Sequence, residues 1–326
     1  MIFKINNIFI SLFLLLQIFL VTPVHAQSYP TKTVKIIVPW PAGGATDSLA
    51  RLISSRLSEA MNQSFVIENK SGASGFIGTE YVAKSAPDGY TLLFITASTH
   101  AISPNLFKNL PYDAIKDFSP IAGVAIGSML LVSPTNAPFN NVPELISFAK
   151  SKPGELNFAT YGNGTTPHLA AELFMQATGI KMTHIPYRGT GPASMAVISG
   201  EVSVYFDAIT SAMPQIQSGK LKAIAYTGLQ RSQLVPDIPS IAEFYPGFEL
   251  SVWYGLEAPA GTPKIILDKL NLQVNRILST PDVVEKLQSL GLMPLILKPD
   301  QFGNHIAQQK GKWADVVKKA NIPLSE

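Results

Sequence analysis

Short apolar runs alternate with segments of helical period along most of the chain. Val34 to Val38 (VKIIV) is rich in β-branched residues and closed by Pro39, which predicts a buried strand. Thr46 to Ala60 then sets Leu49, Ile53 and Leu57 on one face of a helix. The alternation continues with a strand at Phe65 to Glu68, a helix at Phe76 to Lys84 and a strand at Thr91 to Ile95. Further strands are expected at NFAT near Asn157, MTHI near Met182, VSVYF near Val202 and KAIAYT near Lys222, with a helix from Pro167 to Ala177. Beyond about residue 260 the pattern is mainly helical, with apolar positions at Ile265, Ile266, Leu270, Val274 and Ile277. Strand and helix at this spacing predict an α/β fold whose sheet is largely parallel and covered by helices on both faces. No linker or short repeat divides the chain, although a chain of this length has room for two lobes.

The first residues follow a different rule. Lys4 precedes an apolar run from Ile8 to Val21, and Pro23 leads to Val24-His25-Ala26, a small-x-small signal for cleavage after Ala26. The run is about 14 residues, short of the roughly 20 that a membrane span needs. A removed export signal over 1–26 is therefore favoured over a retained anchor, and a freely diffusing periplasmic protein is expected.

Composition narrows the classes. Apolar residues make up 46% of the 326 and charged residues 14%, so apolar surface is ample for a core and disorder is not expected. The net charge is only +3 and the basic residues are unclustered, which argues against nucleic acid as a partner. There is no cysteine, which removes disulfides, thiolate metal sites, a Cys nucleophile and a lipidated N-terminal Cys. No HExxH or histidine cluster offers metal ligands, and no cofactor or metal is expected.

Candidate chemistry lies in loops between strands and helices. Pro41-Ala42-Gly43-Gly44-Ala45-Thr46-Asp47 lets the backbone come close to a ligand and ends at a helix start, where unpaired amides and the helix dipole favour an anion. The competing reading is an ordinary turn with Thr46 or Asp47 as N-cap. Asp47 would repel a second carboxylate, and it better suits holding the loop's own amides. No Gly-Lys-Ser/Thr follows, so this is not a P-loop. Tyr161-Gly162-Asn163-Gly164-Thr165-Thr166-Pro167-His168 repeats the logic, with Thr165 and Thr166 as caps or ligand donors. Ser98 and Thr99, followed by His100, end a buried strand where open α/β sheets place ligands. Asp207 ends VSVYFD and is either a second strand-end carboxylate at the site or a helix cap. Trp40, Tyr161 and Phe206 are candidate walls. His100 and His168 read first as caps or histidines bonded to loop carbonyls. Gly72-Ala73-Ser74-Gly75 is too short for a nucleophile elbow.

Read in order, YPTKTVKIIVPWPAGGATDSLAR, IENKSGASGFIGTEYVAKSAPDGYTLL, KPGELNFATYGNGTTPHLAAELF, HIPYRGTGPA, SGKLKAIAYTG and WYGLEAPAGTP resemble the Bug family of periplasmic solute-binding proteins, the receptors of tripartite tricarboxylate transporters. The resemblance covers Tyr29 to Pro323. It implies a two-lobed type II binding-protein fold with a ligand cleft between lobes: one lobe from residues 27–127 and 249–326, the other from 128–248. It implies a carboxylate held by amides, hydroxyls and water at Gly44, Ala45, Thr46, Asp47, Ser98, Thr99, Gly164, Thr165 and Thr166, with Asp207 matching a position of less defined role. His168 falls in the family's His-Leu-Ala pattern, at a helix start. Thr165-Thr166 stands where Gly-Ser or Ser-Ser is common, and Trp40 where Phe or Tyr is common.

Expected partners are a small organic acid or amino acid as ligand and, in the membrane, either transporter subunits or a sensor kinase; the receptor itself is expected as a monomer. An extracytoplasmic hydrolase built on Ser98 or Thr165, a histidine and Asp207 is the alternative of another class, and it lacks a motif. Arg188 is the nearest cation to these loops, which predicts that backbone donors rather than bulk cations do most of the anion recognition.

Overall fold

β1 (Val34–Val38) is buried at four of its five positions, as a strand inside a parallel sheet must be. It pairs in parallel with β2 (Phe65–Asn69) on one side and β3 (Thr91–Thr96) on the other. α1 (Ala45–Met61) crosses between β1 and β2, burying Leu49, Ile53 and Leu57 as their spacing predicts, and ends at Asn62 in the left-handed region. The computed structural model describes residues 29–319, 322 and 324, in a short N-terminal unit up to Thr31 and a body from Lys32 onward. The expected leader and its cleavage position lie outside the described residues. All the elements named here belong to the body.

After β3 comes a π-helical turn (Ser98–Ile102), and later in the chain β4 (Phe118–Pro134), a 17-residue strand. α2 itself (Phe76–Ala83) lies between β2 and β3. The first part of β4, to Ser128, pairs antiparallel with β9 (Ser251–Pro259), and its residues 125–127 also pair with β10 (Leu292–Pro294). From Met129 the same strand pairs with β7 (Val204–Ala208) and β8 (Leu221–Tyr226). β7 continues in parallel to β5 (Asn157–Thr160), and β5 to β6 (Thr183–Pro186). The sheet is thus mixed. Four of its nine strand pairings are parallel and five antiparallel, which corrects the expectation of a largely parallel sheet. The antiparallel pairings are those of β4 and β9, neither of which shows the alternation with helices that marks a βαβ unit.

Helices cover the two halves of this sheet. The β5–β8 half carries α3 (Val142–Ser151), α4 (Thr166–Thr178), α5 (Thr190–Ile198) and α6 (Ile209–Gln217); its core includes Leu130, Val132, Tyr205, Val197, Ile209 and Leu221. The β1–β3 half takes back the C-terminal segment, with α7 (Lys264–Leu278), α8 (Pro281–Ser289) and α9 (Pro299–Lys319). Phe302, Ile306 and Trp313 bury one stripe of α9, and Phe302 meets Trp253 of β9 edge to face at 6.1 Å. No helix among the described residues is long and apolar enough to cross a membrane.

Where β4 changes partners, its backbone needs new ones, and buried Thr227 supplies them. Met129 donates its amide to Thr227 Oγ1 (2.8 Å), whose hydroxyl donates to the Leu250 carbonyl (2.9 Å). The Thr227 amide donates to Met129 O and the Leu250 amide to Thr227 O, both at 3.0 Å. Thr227→Val keeps the shape and strands the Met129 amide and Leu250 carbonyl, so a loss of about 1–3 kcal/mol is expected. Urea unfolding checks it, with Thr227→Ser expected to lose less.

Candidate functional site

The β1–α1 loop is pinned by Asp47 from inside the first helical turn. Its Oδ2 accepts the Gly43 amide (3.0 Å) and Arg51 Nε (2.9 Å), and its Oδ1 accepts Asn69 Nδ2 (2.9 Å). Asn69 Nδ2 also reaches the Trp40 carbonyl at 3.0 Å. Burial acts to raise the Asp47 carboxyl, but Arg51, the Gly43 amide and Asn69 outweigh it and hold it below the usual carboxylate range. The carboxylate is therefore fully engaged with its own loop. Gly44, not Thr46 or Asp47, is the N-cap of α1, and no side chain caps that helix.

This loop forms one side of a cavity of about 160 Å³. The helix start contributes Gly43, Gly44, Ala45 and Thr46. Facing it are Gly189, Thr190 and Gly191 at the start of α5, and Asp207 and Ala208 at the start of α6. Gly189 is the N-cap of α5 and Ala208 of α6, and neither has a side-chain cap. Three helix N-termini whose N-cap residues supply no side-chain cap thus line one small space, which concentrates amide donors and positive dipole. Gly189 has φ 111°, and a Cβ there would sit 3.0 Å from Pro41 Cγ, so glycine is required for the two loops to meet. Trp40, Tyr161, Tyr254, Met129 and Val252 complete the walls, with Trp40 and Tyr161 edge to face at 5.1 Å. Among the lining residues none is Lys, Arg or His. Arg188 is exposed and outside the lining.

Of the residues singled out in the sequence, Gly44, Ala45, Thr46 and Asp207 line this cavity. Asp47, Ser98, Thr99, Gly164, Thr165 and Thr166 lie outside the lining, with their polar groups engaged by the protein. Ser98 Oγ accepts the Thr166 amide (3.1 Å), pairs with Thr166 Oγ1 (3.0 Å) and lies 3.4 Å from the Tyr161 hydroxyl. The N-terminus of α4, anticipated as a second anion mouth, is therefore capped by a hydroxyl from the far side of the sheet. Thr165 Oγ1 donates to Gly162 O (2.6 Å), Ser103 Oγ donates to Gly164 O (3.4 Å), and Gly164 packs on Phe107. His168 accepts the Gly164 amide on Nδ1 (3.2 Å), a helix-start role. Phe206 is buried and is not a wall.

Thr99 Oγ1 lies 2.9 Å from His100 Nδ1, and His100 Nε2 lies 2.8 Å from Glu257 Oε2. All three are buried and none lines the cavity. Neither Ser98 nor Thr165 bonds a histidine among the described residues, and Asp207 accepts from Ser194, Ser211 and the Ala208 amide. The α5 and α6 mouths escaped the sequence reading, although HIPYRGTGPA holds the first and Asp207 abuts the second.

The model of the tripartite tricarboxylate transporter family receptor matches residues 49–322, and the chain belongs to that family. It is 37% identical over 304 residues to Protein BugT of Bordetella pertussis, covering 93% of each chain. Two solved structures from Rhodopseudomonas palustris are similar throughout. Rpa4515 with adipate is 36% identical at a TM-score of 0.89, over 90% of this chain and 99% of that one. MatC with bound malate is 35% identical at 0.84, over 89% and 100%. The family comprises periplasmic solute-binding receptors with a two-lobed α/β fold, not enzymes.

Two half-buried histidines and the buried Asp207 work against one another as pH changes. His168 and His184 stack at 4.3 Å; burial, and for His168 also the His184 charge, push them down to about 3 and about 4. Their unfolded forms bind protons near pH 6.5, so stability falls as pH drops from there through their folded values. Burial pushes Asp207 up to about 7, so its folded form binds the extra proton in that window and offsets the histidines. Between pH 6.5 and 4.5 the melting temperature of Asp207→Asn is therefore expected to fall more steeply than that of the parent, as a scanning calorimetry series would show.

Proposed function

We propose that this receptor captures a small organic acid in the cavity at the starts of α1, α5 and α6, and hands it to membrane subunits of a tripartite tricarboxylate-type transporter. The observation that carries the reading is the cavity itself: three helix N-termini converge on it, none capped by the side chain of its own N-cap residue, and no cation lines it. Backbone amides and helix dipoles are then the source of anion recognition, as at other helix-start anion sites. The relatives solved with adipate and malate support a short dicarboxylate or similar acid as the ligand.

The lobe division we favour is 27–127 with 249–326, against 128–248. The change of β4 partners between Ser128 and Met129, and the bonds joining Met129, Thr227 and Leu250, support it. On that division Ser98 and Thr166 sit on opposite lobes, so their bond is a latch of the closed form, and Thr165 acts by shaping the loop behind it. Closure around the ligand excludes water, strengthens each donor's hold, and presents one surface to the membrane partner. Export with cleavage after Ala26 is part of the same reading.

A thermal-shift panel of succinate, malate, adipate, benzoate, aspartate and glutamate identifies the acid, with calorimetry on the best of them. A Cβ on Gly44 meets nothing nearer than Pro41 O at 3.8 Å and Thr190 Oγ1 at 3.9 Å, so a side chain fits the fold there and enters the cavity. Gly44→Val is expected to weaken binding well beyond tenfold, and Arg188→Gln by less than tenfold, about 1.4 kcal/mol. The opposite ranking would replace the backbone clamp by an Arg188 salt bridge.

A further inference from the structure

Asp207 is the only carboxyl among the residues lining the cavity, and it is 1% exposed. Ser194 Oγ donates to its Oδ2 at 3.3 Å and Ser211 Oγ to its Oδ1. Both partners are neutral. The helices that present them, α5 and α6, carry no charged side chain. α4, which packs against β7, carries His168 and Glu172, whose side chains face each other at 3.7 Å. The titratable groups facing Asp207 are Tyr205 on its own strand, Tyr161 beyond β5 and Tyr254 on β9; burial, with the Asp207 charge adding to it, pushes all three up. No cation lines the cavity beside the carboxyl; what favours its charged form is the two serines, the Ala208 amide and the start of α6, and burial outweighs them.

Asp207 is in the lining together with the starts of α1 and α5, so a carboxylate held by those helix starts comes close to it. Two carboxylates brought close together disfavour each other's ionised form. We infer that Asp207 meets the ligand as a neutral acid: capture of the carboxylate takes up one proton, and the Asp207 hydroxyl donates to the bound anion. The inference rests on the reading of the cavity as a carboxylate site. The proton comes from solvent and stays on Asp207 until the ligand leaves. Burial already pushes the free carboxyl up to about 7, against the pull of the two serines and the Ala208 amide. A neutral Asp207 holds no charge for an ammonium group, so the site favours plain organic acids over amino acids.

The test uses the exported protein and whichever acid of the panel binds most tightly at pH 6. Calorimetry at pH 8 in two buffers of different ionisation enthalpy is expected to show uptake approaching one proton per ligand. Affinity is expected to fall by up to tenfold for each pH unit between 7.5 and 8.5, a range in which the panel's carboxylates do not titrate. Asp207→Asn should abolish the uptake and flatten the pH profile. An infrared difference spectrum of the parent at pH 8 should gain a protonated-carboxyl band when ligand is added, which keeps the test independent of how the variant folds. Binding without proton uptake and without pH dependence overturns the inference while leaving the carboxylate site intact. So does an amino acid as the tightest ligand with binding lost in Asp207→Asn, which would make Asp207 an ionised ammonium anchor. If no acid in the panel binds at pH 6, the carboxylate reading fails first and takes this inference with it.

Discussion

One strand belongs to both halves of the sheet, and the cleft depends on how its backbone is satisfied where it passes from one to the other. β4 leaves β9 after Ser128 and meets β7 and β8 from Met129. A ladder that changes partners exposes amides and carbonyls in a buried place, and each costs free energy if left unpaired. Thr227 closes that gap with its hydroxyl and backbone, tying Met129 to Leu250. Met129 is itself a wall of the cavity, and its β7 partner Ala208 is the N-cap of α6. The junction therefore sets the position of one helix mouth directly, and the others follow from the strands aligned on either side.

Around that frame, the chain's own polar groups decide which helix starts remain open. Asp47 fastens the α1 loop through Gly43, Arg51 and Asn69, and so leaves the amides ahead of it facing the cavity. Ser98 does the reverse at α4, where its hydroxyl takes the Thr166 amide. Both arrangements use the same orphan amides of a helix N-terminus; they differ in whether a side chain reaches them. The absence of a lining cation then fits a receptor that must release its ligand. Fixed dipoles attract an anion without the deep well of a buried salt bridge.

Much of this was legible in the order of residues. The β-branched VKIIV run, the Leu49-Ile53-Leu57 spacing and the paired glycines at Gly43-Gly44 obey local rules, and the first strand, first helix and their cavity-lining loop form as those rules require. The family's motifs carried the two-lobed fold and the receptor role, because their order along the chain is itself information. What local rules could not reach was distance between residues far apart in sequence. Ser98 meets Thr166 across 68 residues and Met129 meets Thr227 across 98, and no periodicity encodes either pairing. β4 escaped notice because a buried antiparallel strand reads as one apolar run, without the alternation that marks a solvent-facing strand. The α5 and α6 mouths were invisible for the same reason: a helix start becomes a site only when another element brings an empty space to it. Residue chemistry determined what each loop is able to hold. The tertiary structure decided which loops face the cavity and which were claimed by the protein itself, because that depends on which unpaired amide has a side chain within reach.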